Sequence, residues 1–352
     1  VLQARFADLD MEIVEVIDLL KGRRSAILGN VLPMLRYYGL DLLLGRKDSW
    51  NAFFSTPYAF RAIRRLVAER LSSREYVFTF QIQSLFDASQ TGVPHFTYTD
   101  HTHLENLTYP AFDRRKLMAR AWIDLEGEIY RNATCNLTWS TNISRSMIED
   151  YGCSPSQVLC VYAGCNVLVE DAPLDNDGYR NKNILFIGID WERKGGPDLV
   201  RAFEQVRRLH PDARLTIVGS APKIAVPGCT VIGRVPLEEI PRHYSTASIF
   251  CMPTKREPFG IVFVEAMAHR LPVVGTRLGA IPDFVKVDET GYLVDTGAVD
   301  ELARALTRLL DDPDRCRRFG EAGRRLVMER YTWDRAGDAI HAAISARLGG
   351  RI

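Results

Sequence analysis

The chain has 352 residues, of which 46% are apolar and 25% charged, with a formal net charge of +1. That length exceeds one modest core and suits two ordinary domains, and the composition is that of a folded globular protein. The near-neutral charge excludes a global pull toward nucleic acid, and no apolar run reaches the roughly 18 residues that a spanning helix needs.

In chain order, EIVEVIDLL (12–20) reads as a strand and AILGNVLPMLRYYG (26–39) as a helix ending at Gly39. YAFRAIRRLVAERL (58–71) is a second helix. EYVFTFQI (75–82), PHFTYTD (94–100) and CNLTWS (135–140) read as strands, with a long helical pattern, RRKLMARAWIDLEGEIYRN, between the last two. QVLCVYAGC (157–165) closes the first half, and the polar stretch EDAPLDNDGYRNKN (170–183) reads as a linker.

The second half is cleaner. Short apolar runs at NILFIGID (183–190), ARLTIVGS (213–220), CTVIGRV (229–235), SIFCMPT (248–254), LPVVGTR (271–277) and GYLVDTG (291–297) alternate with helical patterns. Continuous apolar strands separated by helices predict a mostly parallel sheet covered on both faces. Beyond Asp311 the chain reads as two helices.

The seven cysteines (Cys135, Cys153, Cys160, Cys165, Cys229, Cys251, Cys316) form no CxxC pair. Neither a disulfide framework nor a zinc cluster is expected, and a reducing compartment fits. No apolar leader follows Val1, so the expected location is cytoplasmic, with peripheral contact at the membrane as an option. Sequons at Asn106, Asn132, Asn136 and Asn142 are read as chance matches.

Chemistry concentrates in REPFGIVFVEAMAHRLPVV (256–274), which joins a strand end to a helix. Doubly wound sheets bind ligands at the carboxyl ends of their strands. Gly260 allows close backbone approach, and first-turn amides near Ile261 and Val262 point at a ligand. Glu257 and Glu265, eight residues apart, supply acceptors for two sets of hydroxyls with phosphates between them. WERKGG (191–196) places Arg193 and Lys194 where a helix begins, a reasonable diphosphate site. RLGAIPDFV (277–285) suggests a tight loop before another helix. DHTHLEN (100–106) offers His101 and His103, but the spacing is not that of a metal site, and none is expected. KGRR (21–24), with Arg61, Arg64, Arg65 and Arg70 near Phe60, Ile63 and Leu66, forms basic amphipathic stretches suited to anionic lipid or a lipid-linked acceptor.

Taken in order, residues 130–345 closely resemble the retaining GT-B glycosyltransferases of the E-x7-E type (family 4, glycosyl transferases group 1). The resemblance implies an α/β protein of GT-B fold, two Rossmann-like domains facing across a cleft. These would be an acceptor-side domain over 1–168, a nucleotide-sugar-binding domain over 183–330, and a C-terminal helix over 331–352 that crosses back, coupled through Trp333. It places Glu257 on donor-sugar hydroxyls, Glu265 on the nucleotide ribose and Lys194 on the diphosphate, with Arg193 assisting. Phe259, Gly260, Ile261 and Val262 would hold the sugar or distal phosphate, and Gly188 would lie at the end of the first strand. The base would lie along Gly233, Arg234 and Val235. His101, with His103 as fallback, would face the sugar, and Asn166 matches the end of the first domain. The donor is a nucleotide-diphosphate sugar and no separate cofactor is implied. The acceptor is a sugar, a lipid-linked molecule or a small molecule.

The chain departs from that pattern at Ile189, where many members carry Arg, and at Arg270, where Gly often stands. Residues 1–30 lack a clear opening strand and Gly-rich loop, since Gly22 and Gly29 make no convincing substitute, so the first domain lacks that element or has an unusual form of it. The competing readings are a catalytically weak GT-B binding or scaffold protein and a nucleotide-sugar epimerase, the latter disfavoured by the order of the E-x7-E block.

Overall fold

A computed structural model of the chain describes residues 1–167 and 178–349. The expected linker therefore lies outside the described residues up to position 177, as does residue 168. The chain forms two compact units: Val1–Leu107 with Phe112–Val161 and Gly337–Ile352, and Thr108–Ala111 with Tyr162–Ala336. The helix Trp333–Leu348 thus begins in the second unit and continues in the first.

The first unit holds four short strands, β1 (Thr79–Ile82), β2 (His95–Thr99), β3 (Cys135–Thr138) and β4 (Val158–Cys160), all parallel and ordered as in the chain. Every residue of β2 and β3 is buried, including Thr97 and Asn136. Those polar groups satisfy each other: the Thr97 hydroxyl donates to Asn136 Oδ1 at 2.7 Å, and Asn136 Nδ2 donates to the Tyr130 carbonyl at 2.8 Å. Asn106 and Asn142 are buried too, so three of the four sequons are closed to a glycan. All seven cysteines are free thiols.

The helix Arg120–Asn132 turns Trp122, Ile123, Leu125, Ile129 and Tyr130 inward, where they pack with Phe60, Ile143 and Met147. Each such side chain stabilises the unit by roughly 2 kcal/mol through lost water contact. The helix Pro57–Leu71 starts cleanly because the Thr56 hydroxyl accepts from Ala59 N at 3.0 Å and Pro57 occupies the first turn.

Two expectations need correction. Residues 12–20 form no strand; Val16–Leu20 is a short helix, since Val16, Leu19 and Leu20 recur at helical spacing and pack around Phe54, Ile63 and Val67. No strand among the described residues precedes Thr79. The single helix expected at 26–39 is two, Arg24–Gly29 and Val31–Leu43. The break lies at Asn30, whose buried side chain donates to the Phe53 carbonyl at 2.7 Å and accepts from the Thr56 hydroxyl.

The second unit contains β5 (Asn183–Ile187), β6 (Arg214–Val218), β7 (Cys229–Gly233), β8 (Ile249–Met252), β9 (Val273–Thr276) and β10 (Gly291–Val294). All pairings are parallel and the spatial order is β10-β9-β8-β5-β6-β7. The first three strands run outward in one direction, and the next three start again on the other side of β5. This is the doubly wound Rossmann order, and its reversal falls between β5 and β8.

One buried acid makes the first unit sensitive to pH. Glu126 accepts from Tyr130 Oη at 3.0 Å, from His103 N at 3.1 Å and from the Tyr151 hydroxyl. Burial nevertheless outweighs these donors and raises its carboxyl to about 7. The folded state therefore holds a proton that the unfolded chain releases near pH 4.3. Its stabilising contribution is complete below the unfolded value and is lost as pH rises through about 7. Glu126→Gln is expected to remove a pH-dependent decline on the order of 3 kcal/mol between those limits. Urea denaturation from pH 4 to pH 8 checks this; parallel curves for both proteins would refute it.

Candidate functional site

The site forms where β5 and β8 end. From β5 the chain passes Gly188 and a turn carrying Arg193 and Lys194 into the helix Gly196–Leu209. From β8 it passes Thr254 and Glu257 into the helix Ile261–Ala268. Both helices start from a left-handed glycine, Gly195 at φ 77° and Gly260 at φ 92°, and neither has a side-chain cap. Each therefore presents uncapped amides and the positive end of its dipole at the reversal of strand order.

The two loops are stitched together. Lys255 N donates to the Arg193 carbonyl at 2.8 Å, and the Thr254 hydroxyl reaches the same carbonyl at 3.2 Å. Arg193 Nη1 donates to the Arg256 carbonyl at 2.8 Å, while Arg193 Nε contacts Asp190 Oδ2 at 3.0 Å. Arg193 thus shapes the loop with two of its donors. At Gly195 a Cβ would fall 1.9 Å from the Pro253 carbonyl oxygen, so only glycine allows the turn to lie against the β8 loop. From the other side Gly279, at φ 55°, lies so near the same loop that a Cβ would be 2.0 Å from the Glu257 carbonyl oxygen.

This crowding delivers Lys194 to Glu257. The ammonium and carboxylate form a direct ion pair, with side-chain exposures of 13% and 9%. Glu265 keeps a different partner: it accepts from Tyr244 Oη at 3.0 Å and is buried. Burial raises its carboxyl above the ordinary range, opposed by the Tyr244 hydrogen bond. Tyr244 stacks on His269 at 4.7 Å, and His269 Nδ1 bonds the Glu265 carbonyl at 2.9 Å. The two carboxylates of the motif thus occupy separate environments on one helix entry. On the other side of β5, Gly219 N donates to the Gly233 carbonyl at 2.7 Å, aligning the turn after β6 with Gly233, from which Arg234 and Val235 follow.

Sequence reasoning missed Thr254, Tyr244 and Thr276, whose hydroxyl donates to the Thr254 carbonyl at 2.6 Å. Their roles come from pairing across strands and carry no local signal. Trp333 and Asn166 meet within the second unit, the indole Nε1 donating to Asn166 Oδ1 at 2.9 Å.

In the first unit His101 follows the carboxyl end of β2. Its Nε2 lies 2.9 Å from Asn106 Nδ2, a group that only donates, so Nε2 accepts and the neutral ring carries its proton on Nδ1. His103 is structural. Its Nε2 accepts from Met118 N at 2.8 Å, its ring meets Trp122 edge-on, and burial lowers its basicity to about 4. Among the described residues no group of three or more His, Cys, Asp or Glu is placed to hold a metal.

A doubly wound sheet with two uncapped helix termini and a Lys–Glu pair at its reversal, accompanied by a second parallel α/β unit, defines a protein of GT-B fold. The solved structures agree on that fold. Sucrose-phosphate synthase of Thermosynechococcus elongatus superposes with a TM-score of 0.65 at 22% identity, over 82% of this chain and 78% of that one. Anabaena HepE in complex with UDP and glucose gives 0.60 at 18% identity, over 80% and 81%. The profile described as "Glycosyl transferases group 1" matches residues 178–326. The MMP alpha-(1->4)-mannosyltransferase of Mycolicibacterium hassiacum is 30% identical over 308 residues, 81% of this chain and 74% of that protein. The chain belongs to the glycosyl transferase group 1 family. A GDP-mannose-dependent alpha-(1-6)-phosphatidylinositol monomannoside mannosyltransferase of Mycolicibacterium smegmatis is 35% identical over 177 residues, 45% of this chain and 46% of that protein. The chain thus matches less than half the length of that relative.

The crowding at Gly279 can be tested against a glycine with the same backbone demand and no neighbour. Gly297, at φ 79°, has open space where a Cβ would go. Gly297→Ala is expected to cost about 1 kcal/mol for the left-handed backbone alone. Gly279→Ala is expected to cost at least about 2 kcal/mol more, because the Glu257 loop must move. Equal midpoints in urea denaturation would show that the loop yields freely.

Proposed function

We propose that the chain is a glycosyltransferase that moves a hexosyl group, mannosyl first among candidates, from a nucleotide-diphosphate sugar to an acceptor with retention of anomeric configuration. The observation that carries this reading is the Lys194–Glu257 pair between two uncapped helix termini at the strand-order reversal. The family membership and the mannosyltransferase names of its relatives support it.

In this mechanism Lys194, the amides leading Gly196–Leu209 and those near Phe259, Gly260, Ile261 and Val262 stabilise charge developing on the leaving diphosphate. Arg193 contributes its positive charge while keeping its loop contacts. Glu257 accepts from donor-sugar hydroxyls and orients the sugar. Glu265 accepts from the ribose, and Gly233, Arg234 and Val235 lie along the base. His101 is assigned to the sugar. The bond from the anomeric carbon to the phosphate oxygen breaks, and a bond from the acceptor oxygen to that carbon forms on the same face. The acceptor proton passes to the departing phosphate, so no protein nucleophile is needed. The acceptor belongs to the sugars, lipid-linked molecules or small alcohols.

The test is a panel of GDP-, UDP- and ADP-sugars, measured by calorimetry and by slow donor hydrolysis. One nucleotide class, with GDP-mannose the first candidate, should bind saturably, and Glu265→Ala should weaken it at least tenfold. Ribose hydroxyls donating to Glu265 favour its ionised form, whose acidity burial suppresses in the free protein. Binding should therefore release a proton and strengthen as pH rises through the Glu265 titration, and Glu265→Gln should abolish that linkage. Absence of binding by every donor sinks the transferase reading.

A further inference from the structure

The helices Val31–Leu43 and Pro57–Leu71 of the first unit leave between them a cleft of about 350 Å3. Arg36, Arg61 and Arg65 line it with Leu32, Tyr37 and Tyr58, and no carboxylate is among its lining residues. Other arginines nearby are paired. Arg64 meets Asp87 at 3.4 Å, Arg46 meets Asp41 at 3.7 Å, and Arg70 contacts Glu12. Arg36, Arg61 and Arg65 have no ion pair or hydrogen bond among the described residues, so three guanidinium groups share one concavity with no carboxylate to pair them. The basic face expected from sequence is narrowed accordingly: Phe60 and Ile63 are core residues, and of the four arginines named there only Arg61 and Arg65 line the cleft.

The surface beside the cleft is apolar. Leu32, Leu35, Leu40 and Leu43 are 75%, 53%, 66% and 82% exposed, and helical spacing puts them on one face around Arg36. The acidic residue of that helix, Asp41, lies on the opposite side with Arg46 and Lys47. Leu28 and Trp50, on the neighbouring helices Arg24–Gly29 and Ser49–Phe54, are exposed as well. With 13 residues the helix is about 20 Å long, too short to cross a hydrocarbon core of about 30 Å. Exposed leucines beside unpaired arginines, with tyrosines at the margin, combine the two contributions that hold a peripheral face on an anionic lipid interface: buried apolar area and attraction of cations to lipid phosphates.

We infer that this face docks on an anionic lipid surface, the three arginines holding lipid phosphates in the cleft while the exposed leucines enter the acyl boundary. A soluble phosphate accounts for the arginines but leaves the leucines in water. An apolar protein partner accounts for the leucines but leaves the arginines without counter-charge. Guanidinium suits the task through its forked, weakly hydrated donors. The inference stands apart from the donor chemistry, so a chain that bound no nucleotide sugar would leave it untouched.

The test uses the full chain in flotation with phosphatidylcholine vesicles, with and without phosphatidylglycerol. Binding is expected only with phosphatidylglycerol and should weaken at least tenfold in Arg36→Gln/Arg61→Gln/Arg65→Gln. Leu32→Ser/Leu35→Ser/Leu40→Ser/Leu43→Ser should lose it as fully while keeping the unfolding midpoint, since all four side chains are exposed. A control neutralising the exposed Arg208, Arg304 and Arg325 changes net charge equally and should bind as the parent does. Equal loss in that control would reduce the effect to bulk charge and overturn the site. So would arginine-dependent binding of inorganic phosphate with no vesicle binding. Self-association broken by the leucine variant, again with no vesicle binding, would assign the face to a second copy and overturn it as well.

Discussion

The second unit depends on how closely three loops approach one another at the carboxyl edge of its sheet. Backbone meets backbone there without intervening side chains: Gly195 against the Pro253 carbonyl, and Gly279 against the Glu257 carbonyl. The strand order produces the meeting, because β5 and β8 are neighbours in the sheet but far apart in the chain, and their following helices leave on opposite faces. Glycine then converts adjacency into contact. Without it the loops would stand apart by at least a side chain, and Lys194 would not reach Glu257.

The Lys194–Glu257 pair is best understood as a poised arrangement. Two charges this poorly exposed lose much of their hydration, and their mutual attraction offsets that loss only while they stay together. Two uncapped helix termini beside them add positive potential that the carboxylate answers only in part. In the proposed reaction the donor diphosphate shares Lys194 and the amides, and sugar hydroxyls supply the donors Glu257 then needs. Glu265 is built differently. It faces Tyr244 instead of a cation, so burial opposes its charge and one hydroxyl donor offsets that only in part.

The second half was legible because its strands are buried on both faces and so read as unbroken apolar runs; β8 is IFCM and β9 VVGT, buried throughout. The helix-entry residues were legible for a related reason, since glycine, carboxylate and lysine stand at fixed distances along the chain. Tyr244 was not, because its hydroxyl matters only once the helix Ile240–Ser245 is laid against Ile261–Ala268. The first half misled at 12–20, where six apolar residues among nine suit a strand or a helix equally. The helix wins because Leu20 finds Phe54, Ile63 and Val67, contacts that no local pattern contains. The unpaired arginines were hidden for the same reason: Arg64 and Arg65 are neighbours in sequence, but one turns to Asp87 and the other into the cleft.

The two histidines after β2 show how packing sorts residues that sequence leaves equivalent. Both lie within three positions of each other beside acidic residues. His103 is drawn inward by a backbone amide that needs an acceptor, Met118 N, and by the edge of Trp122. Its own amide in turn serves Glu126, whose buried carboxyl gathers donors from Tyr130, Tyr151 and the chain at His103. A ring fixed in that way, with basicity lowered to about 4, stays neutral across the physiological range and has no free nitrogen lone pair for chemistry. His101 is joined to this network through Asn106 instead. Asn106 Nδ2 meets its Nε2, and the same carboxamide ties down the His103 carbonyl. The Glu126 cluster therefore anchors the turn that carries both histidines and commits one of them to structure.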